Sequence, residues 1–102
     1  MSASTLSPLV AAVLVRQFPS ADLTALADLF LSDCGSNLPL VADEALLERI
    51  RLAVLRLAGG HSAAVLDHIR AAQIDWRDVL VAAGFGNDLR AHLVWATEVA
   101  RR

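Results

Sequence analysis

The sequence contains no lysine and no tyrosine, and among its 102 residues are a single cysteine, three prolines and five glycines. With Cys34 alone, neither an internal disulfide nor a multi-cysteine metal knot can form, and a reducing, cytoplasmic setting is expected. Long apolar runs are missing too. The longest, Pro8 to Val15, stops at Arg16, far short of the ~20 residues that a membrane span requires. The opening Met1-Ser2-Ala3-Ser4-Thr5-Leu6-Ser7 carries no basic side chain, which a secretory signal needs ahead of its apolar core, so export is not expected.

What is present is apolar. Hydrophobic residues make up 56% of the chain and charged ones 20%, with a net charge of −2. Ordinary domains are about 45–50% apolar, and a domain of this size buries only about 65% of the surface its unfolded chain exposes. Apolar side chains are therefore in surplus for a monomer, and the surplus predicts self-association as a homodimer. The absence of lysine reflects base composition and carries no functional weight.

Residues 1–7, rich in Ser and Thr, are expected to be flexible, and residues 8–102 to form a single all-α domain, a compact bundle of five or six short helices. Ser7 suits an N-cap and Pro8 the first helical position, which predicts a helix over Leu9–Gln17 ended by Pro19, although its Val-rich run also fits a buried strand. Ser20 is the expected cap of a second helix, with Leu23, Leu26, Ala27, Phe30 and Leu31 on one face. Cys34-Gly35 ends it, and the loop through Val41, held extended at Pro39, is expected to pack on the core.

Ala42–Ala58 is the strongest predicted helix, with Asp43 and Glu44 at its start and Gly59-Gly60 at its end. Its main apolar arc is Leu46, Leu47, Ile50, Ala53, Val54 and Leu57, and Leu52 and Leu55 fall on the opposite side. A helix capped by Ser62 runs to Gln73. Asp75 then caps another, with Ile74 and Val79 at hydrophobic-staple spacing, and Gly84-Phe85-Gly86 stops it. The last helix starts at Asn87 or Asp88 and sets Leu89, Leu93, Ala96, Val99 and Ala100 inward, with His92 expected as a half-buried imidazole on the same arc.

No motif brings a reaction with it. His61, His68 and His92 lack the close ligand pairing of a zinc site, so no metal site is expected, and no cofactor is implied. Cys34, at a helix end, has no source of thiolate stabilisation and is not expected to act as a nucleophile. The two Gly-rich segments lack the preceding strand and the Lys of a phosphate loop. A helix–turn–helix reading of Ala63–Ala83 fails on charge. Its second helix would offer Arg77 beside Asp75 and Asp78, then Val79 to Ala83, which can neither neutralise phosphates nor read base edges.

The run Arg-x-x-Leu-Ala-Val-Leu-Arg-Leu from Arg49, the Gly-Gly break and the segment Asp75-Trp76-Arg77-Asp78-Val79-Leu80-Val81-Ala82-Ala83-Gly84-Phe85 resemble small bacterial proteins of unknown function. The resemblance covers under half the chain and implies a bacterial, cytosolic origin. It carries no activity, cofactor or ligand.

The expected function is that of a non-enzymatic, self-associating protein–protein interaction or regulatory module, with an interface through Leu52, Leu55 and Trp95. On that reading, charges placed at positions 52 and 55 would yield a helical monomer. The alternative is a small-molecule binder or minor enzyme with an inter-helix pocket formed by His92 and Arg90, or by His68 and Asp67. A nucleic-acid-binding regulator is the least favoured class.

Overall fold

Short polar residues placed just ahead of apolar runs decide where these helices begin. A computed structural model describes residues 6–19, 22–35, 37–38 and 43–102. Ser7 takes an extended conformation and its Oγ accepts from the Val10 amide at 3.2 Å, with Pro8 leading α1 (Pro8–Gln17). α1 is thus a helix, not a strand. Leu6, just ahead of it, packs against the core.

α2 (Leu23–Asp33) is capped by Asp22, whose Oδ1 accepts from the Ala25 amide at 3.0 Å; the predicted cap, Ser20, lies outside the described residues, as does Pro39. Leu38, from the loop that follows, is buried. α3 (Glu44–Ala58) starts two residues later than predicted, because the Asp43 carboxylate accepts from the Leu46 amide at 2.7 Å and fixes the first turn there. Gly59 (φ 58°) and Gly60 (φ 84°) then turn the chain through left-handed conformations that side chains with a Cβ resist.

α4 (Ser62–Ala82) joins two predicted helices across a break at Asp75 (φ −155°, ψ 97°), where the Asp75 carboxylate accepts from the Arg77 amide at 3.1 Å. His61, not Ser62, holds its N-cap position. α5 (Ala91–Ala100) begins later than predicted, after an Asp88 carboxylate that accepts from the Arg90 amide at 2.8 Å. Among the described residues the architecture is all-α. The radius of gyration of 12.3 Å matches the ~13 Å expected when 100 residues fold as one unit. No described helix is long and apolar enough to cross a membrane.

α3 occupies the centre, packed chiefly against α4 and also against α1 and α5. This placement corrects the reading of Leu52 and Leu55 as an intermolecular surface. Both have 0% exposure within one chain, alongside Ile50, Ala53 and Val54, so the second apolar stripe is core. A helix flanked on both sides needs apolar residues around most of its circumference, and part of the apolar surplus is consumed there.

Candidate functional site

Among the described residues, three places combine polar chemistry with partial access. The first lies where α3 meets the Gly84–Arg90 connection and the start of α5. Phe85 is fully buried, its ring edge-on to His92 (centroids 6.2 Å apart) and tilted against Trp95 (6.0 Å). Arg56 from α3 lies over both the Phe85 and Trp95 rings, at 5.3 and 5.9 Å, and an Nη2 of Arg49 donates to the Phe85 carbonyl. Trp95 is therefore a half-covered core-edge residue beside Phe85.

His92 is buried, and its Nδ1, like Nε of Arg49, has no hydrogen-bond partner among the described residues. Burial pushes the His92 pKa below its ordinary value, the Arg49 cation pushes it further down, and Glu48 and Asp88 oppose the shift. The consequence for stability has a definite sign. The unfolded chain binds a proton near pH 6.5 that the folded chain resists, so stability falls as pH drops below about 6.5 and is recovered above it. Urea midpoints for the wild type should decline from about pH 7.5 to about pH 5, and His92→Phe should flatten that decline. An equal decline in both proteins would remove His92 as its source.

The second place is an open depression of about 290 Å³ between the start of α1 and the first turns of α3, lined by Leu6, Ser7, Pro8, Glu44, Glu48 and Arg51 among others. Arg51 is buried and its Nε donates to the Cys34 carbonyl at 2.9 Å. Burial pushes the Cys34 thiol up to about 12, with Arg51 offsetting this only in part, so the sulfur stays protonated at neutral pH. Glu44 and Glu48 border the same depression and counter the charge of Arg51, which leaves it no net attraction for an anion.

The third is a shallow depression of about 450 Å³ along the outward face of α5, lined by Arg90, Leu93, Val94, Thr97, Glu98 and Arg101. These positions repeat at i, i+3, i+4, i+7, i+8 and i+11, one continuous helical stripe. Leu89, one turn before Leu93, is 74% exposed and Val94 is 67% exposed. This reverses part of the predicted orientation of the helix. His92, Ala96 and Val99 face inward, whereas Leu89 and Leu93 face solvent.

The predicted pairing of His92 with Arg90 in one pocket does not assemble. His92 and Arg90 point to different sides of α5, His92 inward and Arg90 into the outward depression. On α4, His68 is half-buried and Asp67 exposed, and neither lines either of the two depressions. Among the described residues no three His, Cys, Asp or Glu side chains converge to hold a metal ion. The α5 stripe was missed because α5 is apolar nearly all round. The available signal was that Arg90, Glu98 and Arg101 share an arc with Leu93 and Val94, which marks that arc as the wet one. Comparison with protein-family models, curated proteins and solved structures gives no match for the chain.

Proposed function

We propose that the chain is a non-enzymatic helical association module whose contact surface is the outward face of α5. The observation that supports this is the stripe itself: exposed Leu93 and Val94, bounded by Arg90 at one end and Arg101 at the other. An apolar strip at helical spacing between charged ends is the form in which one helix docks on another, the strip providing area and the charges register. Self-association in a reducing cytosol, as a homodimer or larger assembly, fits the apolar surplus of the sequence.

A photo-crosslinking amino acid at position 94, in the cells that make the protein, should give a discrete adduct with another polypeptide. The same group at exposed Ala63 on α4, outside both α5 and α2, is the comparison. An adduct at 94 that disappears with Leu93→Glu supports the reading. Absence of any protein adduct at 94 would overturn it.

A further inference from the structure

Building on that reading, we infer that the occupant of the α5 face is α2 of a second copy of this chain, laid antiparallel. Arg90 then meets Asp33, and Arg101 meets Asp22, across the contact.

The charges motivate the pairing. α2 and its cap carry Asp22, Asp28 and Asp33 with no basic residue, whereas the α5 stripe presents Arg90 and Arg101. Glu98, the acidic member of the stripe, already lies 3.9 Å from Arg102. Arg90, Arg101, Asp22 and Asp33 have no opposite charge within 4 Å among the described residues.

Spacing agrees. Arg90 and Arg101 are eleven positions apart, as are Asp22 and Asp33, which on a helix is about 16 Å and close to three full turns. Both pairs therefore sit at the ends of one stripe. On α5 the interval holds Leu93, Val94 and Thr97; on α2 it holds exposed Ala25 and half-buried Leu29, while Leu26 and Phe30 of the same stripe are turned into the core, so the α2 side of the contact is its Ala25–Leu29 edge.

Direction follows from the helix dipoles. Asp33 at the C-terminal end of α2 and Arg90 at the N-cap of α5 are each unfavourable where they stand in the monomer. An antiparallel contact sets these two against each other and also opposes the two macrodipoles. A parallel contact would leave both charges beside the same-sign pole they already oppose.

The principal neighbours of α5 are α1 and α3, and those of α2 are α4 and α1, so a single copy offers both faces at once. Such a contact joins two different surfaces, so two copies can exchange it reciprocally as a dimer, or copies can add head to tail. Two helices of 10 and 11 residues cover less than the ~800 Å² per partner of a standard interface, so assembly is weak and concentration-dependent.

Sedimentation equilibrium up to millimolar protein tests this directly. The wild-type average mass should rise with concentration and fall back when salt screens the charges. Arg90→Glu with Arg101→Glu should stay monomeric, as should Asp22→Asn with Asp33→Arg, in which Asn preserves the cap. Mixed in equal amounts the two variants should associate again, since one keeps an acidic α2 and the other a basic α5. If either variant fails to fold, adducts from position 94 of the wild-type background are mapped instead, and should fall within Asp22–Asp33. A wild type monomeric throughout, variants that associate unchanged, a silent mixture, or adducts on the second copy outside that segment would overturn the inference. Adducts at 94 only with a different protein would overturn it as well, while leaving the association reading standing.

Discussion

Leu52→Glu combined with Leu55→Glu should leave the chain without stable helical structure. Both side chains have 0% exposure in the centre of the bundle, surrounded by Ile50, Ala53 and Val54 on α3 itself and by the buried residues of α4 and α1. Burying an unpartnered carboxylate costs several kcal/mol, and two of them rival the ~5–15 kcal/mol that holds an entire domain together. The measurement is far-UV circular dichroism beside the wild type. Leu89→Glu, at an exposed position, serves as control and should stay within about 0.5 kcal/mol of wild type. A double variant that remains helical would show that these leucines contribute little to the core.

Phe85→Ala should lower stability by about 3–5 kcal/mol with the fold retained. The ring fills the junction of α3, the Gly84–Arg90 connection and α5, touching His92 and Trp95 under the Arg56 guanidinium. Its removal leaves a cavity that these rigid neighbours cannot close. The backbone carbonyl that receives Arg49 remains, so the deficit comes from packing. Urea denaturation followed by tryptophan fluorescence should show a lower midpoint at unchanged slope. A loss below about 1 kcal/mol would mean that the junction relaxes to fill the space.

How far the sequence reveals this molecule depends on what kind of signal each element offers. Helix ends marked by a capping carboxylate or by glycine, as at Asp22, Asp43, Gly59 and Gly84, follow local chemistry and lie within a few residues of expectation. The orientation of a helix is harder. On α3 the periodicity revealed two apolar arcs, but periodicity cannot say whether the second faces a neighbouring helix or a neighbouring molecule, because both bury leucine equally well. At α5, His92 lies inward, as its place on the predicted apolar arc suggests, against the Phe85 ring with Arg49 and Arg56 on the approach from α3, yet Leu89 and Leu93, expected on that same arc, face solvent. That arrangement joins residues from three separate stretches of chain, and no single stretch records it.

The packing of α1 against α5 bears on how the protein comes into being. Val10, Val13 and Leu14 on α1 are buried, and the helix they pack against most extensively is α5. During synthesis α1 leaves the ribosome with these side chains uncovered, and it must wait while α2, α3 and α4 are made before α5 arrives. Over that interval it is open to chaperones or to other nascent chains. Helices α3 and α4, adjacent in sequence and joined by two glycines, face no such delay.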